Sequence, residues 1–145
     1  MKKKLFIVGF VSLISHAQVF DSKNFVPTVD EAFKLSAELE NQNIFVNFKL
    51  VPETYIYLDK INLKDSNDSK IYFQFQGKKK EKKDIFFGLT EIVDSDFKIK
   101  FPSKNIEKII LNYQGCYENK VCYPRKMKNI FIKYDKKRIS SVKID

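Results

Sequence analysis

From residue 33 onward, apolar and polar side chains alternate in short runs. Phe33, Leu35, Ala37 and Leu39 take every second position. Ile44, Val46, Phe48 and Leu50 repeat the pattern beyond Glu40-Asn41-Gln42-Asn43. Alternation with a period of two marks a strand with one face buried and the other in water. The same reading places strands at 55–61, 70–76, 97–101, 108–113, 121–123 and 129–134, rich in the Phe, Tyr, Ile and Val that pack well on a pleated surface. Residues 29–39 could pass for a short helix, but Phe33 to Leu39 fits alternation better. Asp65-Ser66-Asn67-Asp68-Ser69, Gly77 and Pro102-Ser103-Lys104-Asn105 supply the breaks. Seven or more short strands, with turns about every ten residues, predict an all-β fold: an antiparallel β-sandwich of immunoglobulin-like type.

The N-terminus follows a different rule. Lys2, Lys3 and Lys4 precede an apolar run from Leu5 to Ile14, and Ser15-His16-Ala17 closes it with small residues. This is the pattern of a secretory signal peptide, residues 1–17, cleaved near Ala17. The apolar run is about half the length a bilayer-spanning helix needs. Residues 18–145 then form a single domain, long enough to close its own core. Cleavage removes His16, the only histidine, and with it histidine-based acid–base catalysis and His-ligated metal sites. Net charge falls from +9 to +6, because the segment carries three lysines and no acid. The densest positive run, Lys78-Lys79-Lys80-Glu81-Lys82-Lys83, reads as a solvated loop between strands. It is too short for an extended phosphate track, so no nucleic-acid partner is expected.

Both cysteines remain in a compartment where disulfides persist. Cys116 and Cys122 enclose five residues, too close to be the long-range bridge of an immunoglobulin domain, so they belong to one hairpin or to a strand and its following loop. A bridge over so short a loop contributes only about 2 kcal/mol in the entropy model. Two thiolates without further ligands leave a zinc site incomplete, so no metal is expected. A structural bridge and an exchange pair are both open on spacing alone. Gly115 permits close approach of another backbone. Pro124 ends the strand or keeps it at an edge, where a sulfur would be open to a partner.

Tyr113-Gln114-Gly115-Cys116, five residues, then Cys122-Tyr123-Pro124 resembles the N-terminal periplasmic domain of the thiol:disulfide interchange protein DsbD. Val29-Asp30-Glu31-Ala32-Phe33, Tyr55-Ile56-Tyr57 and Asp84-Ile85-Phe86-Phe87-Gly88 with Glu91-Ile92 match it in the same order. The resemblance implies a sandwich with a Cys116–Cys122 pair at one end, beneath a mobile cap loop of Asp84, Ile85, Phe86, Phe87 and Gly88. It implies relay of reducing equivalents to periplasmic thioredoxin-like oxidoreductases, with no cofactor. Cys122 would form the mixed disulfide and Cys116 would resolve it. Phe86 would shield the pair, and Tyr55, Tyr57, Glu91, Gly115, Tyr123 and Pro124 would line the site. Asp84 and Glu91 would disfavour the thiolate, while Lys120 and Arg125 would favour it.

Three departures from the family pattern bear on loop shape and partner choice. Arg125 stands where a second proline is usual, Glu53-Thr54 replaces a glycine, and Ile85 replaces a polar cap residue. A sequence without the family's membrane-embedded and thioredoxin-like domains is expected to take electrons from a separate membrane donor. The competing expectations are a non-catalytic, disulfide-stabilised envelope protein that binds another protein, and a polyanion-binding module using the lysine run.

Overall fold

The computed structural model describes residues 25–85, 87–102 and 105–145. The expected signal peptide and the cap position Phe86 lie outside the described residues, as do Ser103 and Lys104. One helical turn, α1 (Val29–Ala32), opens the described chain. The strands follow as β1 (Phe33–Glu40), β2 (Asn43–Leu50), β3 (Thr54–Tyr57), β4 (Asn62–Asp65), β5 (Lys70–Ile71), β6 (Gln74–Gln76), β7 (Lys80–Asp84), β8 (Gly88–Val93), β9 (Phe97–Pro102), β10 (Lys108–Tyr113), β11 (Gly115–Tyr117), β12 (Val121–Cys122), β13 (Lys126–Asp135) and β14 (Arg138–Ile144). Among the described residues no helix is long and apolar enough to cross a membrane.

The strands form three antiparallel sheets, in the orders β1-β2-β9-β6, β14-β13-β10-β4-β5 and β12-β11-β3-β8-β7. The first two supply most of one apolar core. Phe33, Ile44, Val46, Phe48, Ile99 and Phe101 meet Leu63, Ile109, Leu111, Tyr113 and Ile130, all of them buried. This is the immunoglobulin-like sandwich that the alternation predicts, and the third sheet carries the cysteines.

Local chemistry explains the elements. Thr28 donates from its backbone N–H and its hydroxyl to Glu31 Oε2, each at 2.8 Å, which closes α1 before the alternation begins. Asn41 and Gln42 both hold positive φ, 49° and 60°, and join β1 to β2 in register with Glu40 opposite Asn43. Positive φ at both loop residues is what a tight two-residue hairpin requires. The expected strand at 55–61 stops at Tyr57, where Leu58–Lys60 tightens into a 3-10 turn. The expected strand at 70–76 divides into β5 and β6, which pair in different sheets.

Only Lys78 and Lys79 of the lysine run lie in the loop expected there. Lys80 to Asp84 is strand β7, paired along its length with β8. Its alternation is Lys80, Lys82 and Asp84 on one face against Glu81 and Lys83 on the other, and a pattern written entirely in charged residues carries no apolar signal.

Tyr113 rests edge-on against Phe33 and Phe48, with ring centroids 6.1 Å and 5.7 Å away. Its hydroxyl is buried with no hydrogen-bond partner among the described residues. Burial, with a smaller contribution from Asp30, pushes its phenol well above the ordinary tyrosine range. Removing an unsatisfied buried hydroxyl relieves its desolvation cost, so Tyr113→Phe should be stabilised by about 1 kcal/mol in denaturant unfolding at neutral pH. The folded phenol stays protonated where the unfolded one ionises. The stability it contributes is therefore complete below about pH 10 and lost as pH rises further. Tyr113→Phe should lose less stability than the parent chain in that alkaline range.

Candidate functional site

Strand β3 lies at the centre of the third sheet, and all four of its residues are buried. The pleat divides them. Ile56 enters the main core, while Tyr55 and Tyr57 turn to the opposite face and pack with Ile92 and Cys116. Strand β11 pairs with β3 so that Cys116 sits opposite Tyr55 and Gly115 opposite Ile56. Gly115 has no room for a side chain: a Cβ there would lie 2.3 Å from the Tyr55 carbonyl oxygen and 2.7 Å from the Phe33 ring. The glycine is what lets β11 lie against β3, and so brings the sulfur to the tyrosines.

The chain then turns through Glu118, Asn119 and Lys120, with Asn119 at φ 58°, and returns as β12. Cys116 and Cys122 face each other across this hairpin and form a disulfide with Cα atoms 4.0 Å apart. The two sulfurs are not equivalent. Cys116 is 1 % exposed, whereas Cys122 is only half-buried.

Asp84 ends β7 and is buried. Its Oδ2 accepts from the hydroxyls of Tyr57 at 2.8 Å and Tyr55 at 2.9 Å, and its Oδ1 accepts the Phe87 N–H at 3.2 Å. The Tyr57 hydroxyl stands 3.1 Å from Cys116 Sγ and 3.8 Å from Cys122 Sγ. A continuous polar path therefore runs from the carboxylate through one phenol to the disulfide. Burial first, then the neighbouring Tyr55 phenol and the bonded Asp84, pushes Tyr57 far above the ordinary tyrosine range. Tyr55 is raised as well, mainly by burial. Both phenols are neutral hydrogen-bond donors at any physiological pH.

Of the residues expected in the cap, Asp84 ends β7 and Gly88 opens β8. Gly88 takes a positive φ of 70° there. The Phe87 ring stands edge-on to Tyr57 at 4.8 Å, and the Lys60 ammonium lies 4.6 Å from its centroid. Ile85 is 91 % exposed at the lip. Between the β7–β8 and β11–β12 hairpins opens a cleft of about 420 Å³, lined by Tyr55, Lys82, Asp84, Ile85 and both cysteines.

Not every residue expected at the site reaches it. Glu91 follows the pleat of β8 to the face opposite Ile92 and pairs with Lys79 at 3.4 Å. Tyr123 turns into the main core, where its hydroxyl donates to the Pro27 carbonyl at 2.7 Å. Its backbone still braces the hairpin, donating to the Gly115 carbonyl at 3.0 Å. Pro124 is exposed beyond it, as is Arg125. The Lys120 ammonium donates to the Tyr117 hydroxyl at 3.1 Å rather than reaching a sulfur.

Two residues absent from the sequence-based expectation belong to the site. Lys82 lies 5.0 Å above the Tyr55 ring and pairs with Glu118 of the cysteine hairpin. This pair links the two walls of the cleft. The signal for it was the period-two spacing of Lys80, Lys82 and Asp84, hidden inside a uniform lysine run.

The crowding at Gly115 yields a direct test. Gly115→Ala should cost about 2–3 kcal/mol in denaturant unfolding, in the manner of an overpacked core, because backbone rather than a flexible side chain must move.

The family model for "Thiol:disulfide interchange protein DsbD, N-terminal" matches residues 23–133. The DsbD protein of Neisseria meningitidis serogroup B is 30 % identical over 129 residues, covering 86 % of this chain and 21 % of that protein. The Vibrio cholerae DsbD protein is 31 % identical over 104 residues, covering 69 % of this chain and 17 % of that protein. The chain thus spans about a fifth of the length of the curated relatives it matches. The crystal structure of the Neisseria meningitidis DsbD N-terminal domain in the reduced form superposes with a TM-score of 0.66 at 26 % identity, covering 76 % of this chain and 91 % of that one. A structure of the complex between the DsbD and PilB N-terminal domains of the same species superposes with a TM-score of 0.58 at 28 % identity, covering 73 % of this chain and 85 % of that one. With the family model matching most of the chain and the sandwich superposing on a solved member, this protein belongs to the family of the N-terminal domain of the thiol:disulfide interchange protein DsbD.

Proposed function

We propose that this chain is an exported thiol–disulfide exchange domain of the periplasm, which passes reducing equivalents through Cys116 and Cys122 to partner oxidoreductases. The observation that carries this reading is the unequal exposure of two bonded sulfurs at one cleft. In the reduced form, the Cys122 thiolate attacks a sulfur of the partner's disulfide and displaces the other partner sulfur as a thiolate. The Cys116 thiolate then attacks Cys122 Sγ and releases the partner as a dithiol. Two electrons leave this chain, and its disulfide is restored. A membrane-bound donor reduces it again. The DsbD–PilB complex of Neisseria meningitidis supports a protein partner docked on a domain of this kind.

The hydrogen-bond path suggests how the reduced pair stays quiet. Tyr57 has one hydroxyl proton and directs it to Asp84. Its lone pairs are left facing the sulfurs, where they accept an S–H but offer nothing to a thiolate. The carboxylate behind adds to that preference, because negative charge nearby disfavours a thiolate. Phe87, and Phe86 as the residue assigned to the cap by resemblance, exclude small thiols until a partner displaces them. Glu91 has no place in this path.

Cys116→Ala, expressed in the native envelope, should accumulate mixed disulfides through Cys122, visible on non-reducing gels and absent from the Cys116→Ala/Cys122→Ala double variant. No adduct, together with a wild-type pair that is always oxidised at a potential below about −300 mV, would instead describe a structural bridge. In the reduced protein, Asp84→Asn should lower the Cys122 thiol pKa, measured by the pH dependence of alkylation. An unchanged or higher value would remove Asp84 from the mechanism.

A further inference from the structure

The sheet β14-β13-β10-β4-β5 is distinct from the sheet that carries the cysteine cleft. Ile109, Leu111, Ile130, Ile132 and Leu63 point inward to the core, so their neighbours point outward. The outward positions hold five lysines: Lys64, Lys70, Lys108, Lys133 and Lys143. None has an acid opposite it. Phe131 lies between Lys108 and Lys143, Lys64 faces Lys70, and Lys133 faces Ser141. Three acids share this face: Asp135 lies opposite Arg138, and the other two have partners of their own. Asp68 binds Lys64 at 2.7 Å, and Asp145 accepts from Asn129. Lys64 and Lys70 are the like-charged pair directly opposite each other, an arrangement that costs sheet stability.

The sandwich face formed by β1, β2 and β9 is less basic, with four lysines, although Lys34 faces Lys49 there. There Glu38 and Glu40 intersperse with Lys34, Lys49, Lys98 and Lys100. A second feature extends the basic face. The β13–β14 hairpin turns on Lys136 and Lys137, both at positive φ, 45° and 69°. Turns of this geometry favour Asn or Gly, and lysine is disfavoured there. Arg138 follows, exposed.

Large apolar side chains stand among these cations. Tyr72 is 77 % exposed, Met127 57 % and Phe131 41 %. Lys70 lies 5.1 Å from the Tyr72 ring centroid, and Lys108 5.8 Å from that of Phe131. The ring faces are thus covered by ammonium groups, and the run of open stacking platforms that single-stranded nucleic acid needs is missing. Lysines whose stems lie along apolar side chains, with aromatic residues at the same level, suit a surface that is anionic outside and apolar beneath.

We infer that this sheet face and its hairpin bind the surface of a bilayer rich in anionic phospholipid. The site chemistry is compatible with that orientation. Cys122 precedes Lys126 by four positions, and the ten residues of β13 then carry the chain about 30 Å to the basic hairpin. A protein held by this face keeps its cleft clear of the headgroups.

The test is co-sedimentation of the full chain with phosphatidylcholine vesicles and with vesicles in which about one lipid in three is phosphatidylglycerol. Any contribution from the apolar N-terminus is common to all variants. Binding should require phosphatidylglycerol and weaken with salt. The Lys108→Gln/Lys133→Gln/Lys143→Gln variant should lose at least tenfold in affinity, since each lysine at an anionic surface is worth about a fivefold factor. The Lys34→Gln/Lys49→Gln/Lys98→Gln variant, with the same change in net charge on the other face, should bind as the parent does. These surface substitutions leave the core and the disulfide untouched, which unfolding and thiol titration verify. Equal binding to both vesicle types, equal losses in the two triple variants, or tighter binding to an oligothymidylate probe at the same salt would each overturn the inference.

Discussion

The approach of β11 to β3 at Gly115 is the constraint on which the site depends. The Tyr55 carbonyl and the Phe33 ring occupy the volume any side chain would need. With that space empty, Cys116 comes opposite Tyr55, and Tyr57 reaches the sulfur. The same ring of Phe33 packs edge-on against Tyr113 and Tyr123. The cysteine hairpin is therefore seated on the main core rather than suspended from a loop. A short disulfide contributes little to global stability. Its seat does more to hold the two sulfurs in fixed and unequal surroundings.

The second organising feature is the buried carboxylate of Asp84. A buried charge is costly unless its lone pairs are used, and here two phenols and a backbone N–H use them. The same bonds join three strands: Asp84 ends β7, the tyrosines lie on β3, and Cys116 lies on β11. Chemistry and architecture are thus coupled. Whatever moves the β7–β8 turn also changes what the Tyr57 hydroxyl presents to the sulfurs. The Lys82–Glu118 pair across the cleft adds a weaker tie between the same walls.

Charge on this chain is organised by face. The pleat assigns Lys82 to the cleft and Glu91 away from it, although both lie in one hairpin. It gathers five lysines on the outer face of another sheet while their intervening residues fill the core. A net charge of +9 conceals this division, because it depends on parity along strands and on which strands are neighbours.

Much of the protein was legible in its sequence. Alternation is a local property, so the runs 33–39, 44–50 and 97–101 announce buried strands wherever they lie in the fold. A separation of six positions between the cysteines requires a local bridge, and Gly115 beside Cys116 signals close backbone contact. Other features were decided only by tertiary structure. Strand β7 has no apolar residue on either face, so its pairing with β8 makes it a strand. Glu91 and Tyr123 lie near site residues in sequence but are turned elsewhere by the pleat and by the core. The link from Asp84 to Cys116 spans residues distant along the chain, joined only because β3 lies between their strands. Period and spacing specify which side chains share a face. Only the packing of sheets specifies what that face meets.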